Sequence, residues 1–227
     1  MTEENQSTKA FVLLSGGIDS AVCLQKALAN HEDVEAIHFN YGQQTEEIER
    51  SNAEKQAEKA GIPLHISDYR TVFKNFAEGT IEDKDYDSED MEQDGHSVGY
   101  VPQRNLHLLV TAAATAEHHS KTGRDIVLYH GAQQNDEEDY PDCRPVFMDA
   151  AEKAIDRSTD QHDIRVETPI IDFSKEEVLR LGEELGVDWK LTFSCYNDVD
   201  GNPCAECPAC IERKEAFREA GISDPIE

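Results

Sequence analysis

Short apolar runs alternate with amphipathic segments along most of the chain. Five runs have the length and composition of buried strands: residues 10–14, 34–39, 64–67, 126–129 and 165–167. Four other segments predict helices: residues 20–29, 105–117 and 174–185, and the charged segment 45–60, which Gly61 and Pro63 end. Ser174 and Glu177 have the spacing of a capping box, and Gly186 follows as a stop signal. This alternation predicts an α/β fold with an open, mostly parallel five-stranded sheet flanked by helices.

The stretch from residue 78 to residue 99 breaks the alternation. It consists mostly of Asp, Glu, Gly and Ser, which predicts a mobile acidic insertion above the sheet. A lid over an active site and a solvated loop both fit this composition. We divide the chain into an α/β domain over 8–188, which carries the insertion, and a C-terminal subdomain over 189–227, which is rich in cysteine.

Acidic side chains greatly outnumber basic ones. The 227 residues include 48 Asp and Glu against 21 Lys and Arg, which gives a formal net charge of −27. Because this field repels phosphates, we expect neither nucleic acid nor an anionic membrane as a direct partner. The acid is spread along the chain rather than confined to a tail, which favours adaptation to high salt over an acidic interaction module.

The hydropathy of the chain argues against insertion into a membrane. Its mean hydropathy is −0.65, and its apolar runs are far too short to cross a bilayer. Residues 1–9 are polar and acidic, unlike the start of a secretory signal. We therefore expect a cytoplasmic protein.

The segment Ser15-Gly16-Gly17-Ile18-Asp19-Ser20 lies where a strand ends and a helix begins. Two adjacent glycines permit backbone angles that turn successive N–H groups toward one point, and the helix adds its positive end. The segment therefore predicts an oxyanion site, although a plain strand-to-helix turn is the simpler alternative. The chain has neither a Walker A run nor a Gly-x-Gly-x-x-Gly run, which argues against a Walker-type NTPase and a dinucleotide dehydrogenase.

Four of the six cysteines crowd into the last quarter of the chain: Cys195, Cys204, Cys207 and Cys210. Four soft ligands fit tetrahedral Zn²⁺ and leave no open position, so the cluster predicts one structural zinc ion per chain. A redox or sulfur-carrying pair and an iron–sulfur cluster are the alternatives. Cys23 and Cys143 stand alone.

The Ser-Gly-Gly-x-Asp-Ser run resembles the pyrophosphate-binding loop of the PP-loop ATP pyrophosphatases, which cleave ATP between its α and β phosphates. The resemblance implies an adenine nucleotide alpha hydrolase-like fold and the use of ATP with Mg²⁺. It also implies a set of ATP-binding residues: Leu14, Ser15, Gly16, Gly17, Ile18, Asp19 and Ser20. Asp19 and Ser20 are expected to take part in catalysis by holding the departing pyrophosphate or its Mg²⁺. Lys175, at the start of a predicted helix, is a further candidate for contact with the phosphates.

Three more stretches narrow the resemblance. Tyr41-Gly42-Gln43, Val101-Pro102-Gln103-Arg104-Asn105 and Tyr140-Pro141-Asp142-Cys143-Arg144 each lie at a predicted strand end or helix start. Together with Ser194-Cys195-Tyr196 and the cysteine cluster, they resemble the QueC family of 7-cyano-7-deazaguanine synthases over nearly the whole chain. Departures from the family pattern as we know it include Gln103 and Ala205, both at positions where glycine is usual. The others are Asn40 for Asp, Gln44 and Thr45 for a basic residue and His, and Glu138-Asp139 for Ser-Gly.

The resemblance implies conversion of 7-carboxy-7-deazaguanine to the nitrile with ammonia and ATP, through adenylated carboxylate and amide. Arg104 and Arg144 are candidates to bind the substrate carboxylate or a phosphate in bidentate fashion. Asp142, Asp136 and Asn105 are candidates to accept hydrogen bonds from the guanine-like edge. Asp142 is also expected, with Arg104 and Arg144, to contribute to catalysis. Tyr41, Gln43, Tyr140 and Cys143 complete the expected substrate site.

The product is expected to feed archaeosine or queuosine biosynthesis, and the resemblance implies a homodimer. The motifs leave other functions open. A PP-loop tRNA thiolase would use cysteine as a sulfur carrier and needs a basic surface for RNA, which the charge of −27 disfavours. Another PP-loop amide-forming ligase is also possible on the motifs. A zinc module without enzymatic activity would leave the serine-glycine loop unexplained.

Overall fold

The computed structural model describes residues 8–74, 92–93, 96–97, 100–133, 140–199 and 201–226. Its centre is a sheet of five parallel strands: β1 (Lys9–Leu13), β2 (Asp33–Asn40), β3 (Leu64–Asp68), β6 (Ile126–Tyr129) and β7 (Ile164–Glu167). Their order across the sheet is β3-β2-β1-β6-β7. Two antiparallel pairs of two-residue strands lie outside it: β4 (Glu92–Gln93) with β5 (His96–Ser97), and β8 (Asp198–Val199) with β9 (Asn202–Pro203). The predicted open parallel sheet is confirmed.

Seven α-helices are found among the described residues: α1 (Ile18–Asn30), α2 (Glu46–Ala60), α3 (Arg70–Phe73), α4 (Arg104–His118), α5 (Pro145–Asp156), α6 (Lys175–Leu185) and α7 (Pro208–Ala220). The bounds of α2, α4 and α6 agree with prediction within a residue. The predicted capping box of Ser174 and Glu177 is present, and Gly186 caps α6 in the left-handed conformation. The sequence analysis did not predict α5 and α7, although each begins with proline at a first-turn position, a signal typical of helix starts.

Alternate residues of the central strands point into two separate cores. In β1, Ala10 and Val12 pack into one core, whereas Phe11 and Leu13 pack into the other. The first core lies between the sheet and helices α1, α2, α6 and α7, and the second lies between the sheet and helices α4 and α5. Because β1 is buried on both faces, it is apolar apart from its first residue rather than alternating with polar residues.

The C-terminal residues pack on the sheet domain through α7. The Trp189 and Phe217 rings meet edge-on, with centroids 5.7 Å apart, and both belong to the first core. Gly182 of α6 lies directly against Trp189, since a Cβ atom there would come within 2.2 Å of the indole. Arg213 and Asp224 form an ion pair whose side chains are only 5% and 4% exposed.

The sheet order places a topological switch point between β1 and β6. From β1 the chain builds outward through β2 and β3 on one side, and through β6 and β7 on the other. The carboxyl ends of neighbouring parallel strands diverge at such a point and leave a crevice for ligands. Most of the predicted acidic insertion at 78–99 lies outside the described residues. None of the described helices is long and apolar enough to cross a bilayer.

Candidate functional site

A cavity of about 360 Å³ opens at the carboxyl ends of β1, β2 and β6. One part of its wall comes from the loop after β1 and the start of α1: Leu14, Ser15, Gly17, Ile18, Asp19 and Ser20. A second part follows β2 and includes Tyr41, Gln43 and Glu49. A third part follows β6 and surrounds α4: Arg104, Asn105, His130, Gly131, Tyr140 and Cys143. Lys175, Phe193, Ser194, Tyr196 and Arg213 close the remaining side.

The loop after β1 is a tight backbone turn. Gly16 has φ +88°, and a Cβ atom there would lie 2.4 Å from the backbone oxygen of Glu49, so only glycine fits. Ser15 Oγ accepts from the Gly17 N–H at 3.2 Å and donates to Ser20 Oγ at 3.1 Å. Gly17 is the N-cap of α1 and supplies no side-chain cap, so the first N–H groups of the helix are left for a ligand.

Lys175 and Asp19 form an ion pair at the mouth of this loop. Lys175 Nζ lies 2.8 Å from Asp19 Oδ2, with side chains 13% and 25% exposed. Asp19 Oδ1 is buried and has no hydrogen-bond partner within the described part of the chain. A buried carboxylate oxygen without a donor fits a hard divalent cation such as Mg²⁺. The helix end, Lys175 and a cation on Asp19 would together offset the charge of a polyphosphate.

Leu14 is held through its backbone on both sides. Its N–H donates to the Ile37 oxygen at 2.8 Å, and its carbonyl oxygen lies 2.8 Å from His38 Nδ1. Burial lowers the pKa of His38 below its usual value, so the imidazole is neutral near pH 7 and donates to that carbonyl. Sequence reasoning did not single out His38.

Gln43 is fixed by its neighbours. Its Oε1 accepts from the Tyr41 N–H at 3.0 Å, and its Nε2 donates to Glu49 Oε2 at 2.9 Å. Glu49 Oε1 also accepts from Thr45 Oγ1 at 2.6 Å. Burial raises the pKa of Glu49 despite these hydrogen bonds. Gln43 therefore positions the half-buried Glu49 carboxylate on the cavity wall. Sequence reasoning missed Glu49 because it lies outside the Tyr-Gly-Gln run.

Arg104 brings a half-buried positive charge to the cavity wall. Burial by itself would lower the pKa of the guanidinium, but nearby Tyr41, Tyr140 and Cys143 raise it above its ordinary value. Burial also raises the pKa of Tyr41 to about 12. The cationic carbon of Arg104 lies 5.8 Å from the centre of the Tyr140 ring, in cation–π contact. A fixed guanidinium among neutral aromatic groups is suited to a carboxylate or phosphate oxygen.

Asn105 has a defined orientation because both of its amide hydrogens are used. Nδ2 donates to the Asp142 backbone oxygen at 3.1 Å and to Cys143 Sγ at 3.2 Å. Asp142 Oδ2 accepts from the Asn105 backbone N–H at 2.9 Å and so caps the start of α4. The Oδ1 atom of Asn105 is thereby left as the acceptor for a ligand. Asp142, which is buried and outside the cavity lining, positions Asn105 rather than facing the ligand.

The structure brings most of the predicted site residues to the cavity, with three exceptions besides Asp142. Gly16 shapes the loop but lies behind the cavity wall. Arg144, which follows the turn Pro141–Cys143, is exposed and lies outside the cavity lining. Asp136 lies outside the described residues.

His130 lines the cavity and was not predicted. It directly follows the last residue of β6, and this position at a strand's carboxyl end was the signal that could have identified it. Burial and then the charge of Arg104 lower the pKa of His130 to about 4.

Gln103 and Ala205 are the two described residues other than glycine with positive φ, at 59° and 64°. At both positions the resemblance described above leads us to expect glycine. The left-handed conformation favours glycine, so each substitution carries backbone strain while the turn itself is retained.

The four clustered cysteines converge on one point. Their Sγ atoms all lie within 4.8 Å of one another, with Cys195–Cys207 at 3.9 Å and Cys204–Cys210 at 4.0 Å. Backbone N–H groups of Asn197 and Cys204 approach Cys195 Sγ at 3.3 and 3.2 Å, as is usual around metal-bound thiolates. This cluster can hold a metal ion. In contrast, burial raises the pKa of the Cys23 thiol in the first core.

A second group of possible metal ligands comes from β2, β3 and the residue after α4: Glu35, His65 and His119. The Glu35 carboxylate is already engaged, since Oε1 lies 2.6 Å from Lys9 Nζ and Oε2 lies 2.6 Å from His65 Nε2. The cationic partner makes this group an ion-pair network rather than a free ligand set.

The chain is similar to proteins of known structure and to named relatives. The solved structure of NMN synthetase from Francisella tularensis has TM-score 0.53 over 96% of this chain and 79% of that chain, at 16% identity, which identifies a shared fold. A protein of Acidobacterium capsulatum named 7-cyano-7-deazaguanine synthase is 39% identical over 226 residues, covering 96% of this chain and 95% of that protein. One of the same name from Methanospirillum hungatei is 39% identical over 96% of this chain and 98% of its own length. The family model described as queuosine biosynthesis protein QueC matches residues 9–221. The chain therefore belongs to the QueC family.

Proposed function

We propose that this protein is an ATP-dependent carbon–nitrogen ligase that converts 7-carboxy-7-deazaguanine and ammonia to 7-cyano-7-deazaguanine. The observation that carries the proposal is a single cavity that joins the Ser15–Ser20 loop to Arg104 and Asn105. Relatives that carry the name of this activity, at 39% identity over nearly their whole length, support it further.

The chemistry begins with activation of the substrate carboxylate, because a carboxylate is inert to ammonia. A carboxylate oxygen attacks the α phosphorus of ATP, and pyrophosphate leaves into the loop of residues 15–20. The N–H groups at the start of α1 and the Lys175 ammonium stabilise the charge on the departing group. Arg104 orients the carboxylate, and Asn105 Oδ1 accepts a hydrogen bond from the guanine-like edge.

Ammonia then displaces AMP and forms the amide. A second ATP adenylates the amide oxygen in the same cavity and releases pyrophosphate, and loss of AMP and of both N–H protons leaves the nitrile. Asp19 would hold Mg²⁺ on its buried, unpartnered Oδ1 atom, and this ion would neutralise phosphate charge when bound.

The four clustered cysteines would hold one Zn²⁺ ion. Four thiolates satisfy a tetrahedral ion completely, so the ion would stabilise the fold of 189–227 without touching the reaction. In this division, residues 8–188 form the ATP-binding domain and 189–227 the zinc-binding subdomain.

Several further properties belong to the proposal. We expect a homodimer in the cytoplasm that acts on small molecules and binds no nucleic acid directly. The spread of acid along the chain supports adaptation to high salt, which favours archaeosine over queuosine as the end use.

One assay tests the proposal. We expect continuous release of pyrophosphate from ATP only when 7-carboxy-7-deazaguanine and ammonium are both present. Two AMP should form for each nitrile. The matched control replaces the deazaguanine by unmodified tRNA, which we expect to stimulate nothing. Stoichiometric ADP and phosphate would overturn the ligase, and stimulation by tRNA with a sulfur donor would favour a thiolase instead.

A further inference from the structure

His130 is held rigidly at the end of β6. Its backbone N–H donates to the Glu167 carbonyl oxygen at 2.9 Å, and its side chain is nearly buried, since the residue is only 8% exposed. The ring nitrogen Nδ1 accepts a hydrogen bond from the Ala132 N–H at 3.1 Å. Because Nδ1 uses its lone pair in this bond, the ring proton must sit on Nε2.

Nε2 is the ring nitrogen that remains for a ligand in the cavity. Within the described part of the chain Nε2 has no hydrogen-bond partner, and His130 belongs to the cavity wall. The next residue, Gly131, lies against the first turn of α1, where a Cβ atom would come within 3.3 Å of the Asp19 and Ser20 backbones. His130 therefore lies between the phosphate loop and the guanidinium of Arg104.

The charge state of the ring defines its chemistry. Burial, followed by the positive charge of Arg104, lowers the pKa of His130 to about 4, so the imidazole is neutral near pH 7. A neutral ring protonated on Nε2 donates a hydrogen bond and cannot take a proton at that atom. It is a fixed donor rather than a general base.

We propose that His130 Nε2–H donates a hydrogen bond to the acyl oxygen of the adenylated substrate and stabilises the oxyanion formed when ammonia attacks. The inference rests on the proposed function and adds a catalytic residue to it. A preorganised neutral donor is suited to this role because its hydrogen bond becomes stronger as negative charge develops on the oxygen. The donor is already in place, so no reorganisation is needed.

The step balances without proton transfer to His130. The nitrogen of ammonia forms a bond to the acyl carbon, and one electron pair of the C=O double bond moves to the oxygen. The Nε2–H group donates a hydrogen bond to the resulting oxyanion. The C=O bond then re-forms, the bond from carbon to the AMP oxygen breaks, and AMP leaves. The ammonium nitrogen releases one proton to solvent, which leaves the amide.

Two substitutions separate this role from a structural one. His130→Ala removes the donor, whereas His130→Gln places an amide N–H near the position of Nε2. We expect His130→Ala to slow amide formation on the order of 100-fold and His130→Gln to lose less than about 10-fold. Exchange of labelled pyrophosphate into ATP, which reports adenylation alone, should stay near the wild-type rate in both, because no charge builds on the acyl oxygen in that step.

His162→Ala is the matched control. His162 is also buried and also has one ring nitrogen, Nδ1, bonded to the backbone, at the Arg124 carbonyl oxygen, but it lies outside the cavity wall. We expect it to change neither rate. The ¹⁵N chemical shifts of the His130 ring should independently report a neutral imidazole protonated on Nε2 between pH 6 and pH 8.

Three results would overturn the inference while the proposed function stands: amide formation at the wild-type rate in His130→Ala, equal loss of exchange and amide formation in both variants, or a ring protonated on Nδ1. If the wild-type protein itself gave no pyrophosphate exchange with 7-carboxy-7-deazaguanine, the proposed function would fail, and the inference with it.

Discussion

Lys175 Nζ lies 2.8 Å from Asp19 Oδ2, although 156 residues separate the two in the chain. The contact joins the first turn of α6 to the first turn of α1 at the edge where β1 ends. Both side chains line the cavity, so a charged pair borders the loop of residues 15–20.

Loss of the Lys175 charge should weaken catalysis with ATP. We predict that Lys175→Met lowers kcat/KM for ATP by roughly 10- to 100-fold, because a hydrogen bond to a charged group is worth about 1.5–3 kcal/mol. Pyrophosphate release measures this. Lys59→Met is the control, since Lys59 makes a similar 2.7 Å pair with Asp188 on the exposed surface. Equal losses in the two variants would contradict a role at the phosphates.

Arg104 and Arg144 should differ, although the sequence makes both candidates. Arg104 is on the cavity wall, whereas Arg144 is exposed and outside it. We predict that Arg104→Lys raises KM for the carboxylate substrate or lowers kcat by at least about 10-fold, because lysine cannot bind bidentately. Arg144→Lys should change either constant by less than about 3-fold, a difference below 1 kcal/mol. Steady-state kinetics of both variants decides between them.

Removal of the metal should destabilise the C-terminal part. Cys207 is fully buried in the cluster, so Cys207→Ser should lose the bound metal and lower the melting temperature, as should a strong chelator. Elemental analysis should find one zinc per wild-type chain. Cys23→Ala, in the first core, should keep the metal. Iron with visible absorption, or four freely titratable thiols without metal, would contradict structural zinc.

The Glu35 network should make stability depend on acid pH. Burial alone would raise the pKa of Glu35, but hydrogen bonds from Lys9 and His65 lower it below its usual value of 4.5. A lowered folded pKa means that this stabilisation is complete above about pH 4.5 and is lost as the pH falls below it.

We therefore predict that Glu35→Gln lowers the free energy of unfolding by roughly 1–3 kcal/mol at pH 7, and that the gap to wild type closes in acid. Urea denaturation at several pH values measures both. Glu54→Gln is the control, because its pair with Arg50 is about half exposed and should contribute no more than about 0.5 kcal/mol. A gap that did not change with pH would exclude the linkage.

Glycine should relieve the strain at the two positive-φ positions. We predict that Ala205→Gly stabilises the protein by roughly 0.5–1 kcal/mol, because the left-handed conformation is costly for a residue with a Cβ atom. Gln103→Gly should act in the same direction. Ala114→Gly, at an exposed position inside α4, should destabilise by about 1 kcal/mol. Thermal melting distinguishes the signs, and destabilisation by Ala205→Gly would refute the strain.

Local patterns in the sequence determined the parallel sheet, the tight glycine turn after β1 and the cysteine cluster. The apolar run of β1, the double glycine at Gly16 and Gly17, and the spacing from Cys195 to Cys210 each act over a few residues. The β1 strand is apolar because it is buried on both faces. The glycines permit the φ angles of the turn, and the cysteine spacing lets four thiolates reach one point. The helices α5 and α7 were not predicted, although each has a proline in its first turn, which is typical of a helix start.

Only the tertiary structure decided which side chains reach the cavity. Arg104 and Arg144 belong to equally suggestive motifs, and packing of the turn Pro141–Cys143 against the start of α4 placed one inside and the other outside. His130 carried no motif, and its fixed donor depends on the Ala132 N–H and on burial beside Arg104. Side-chain orientation, charge state and contacts across more than a hundred residues arise from close packing, which spacing along the chain does not specify.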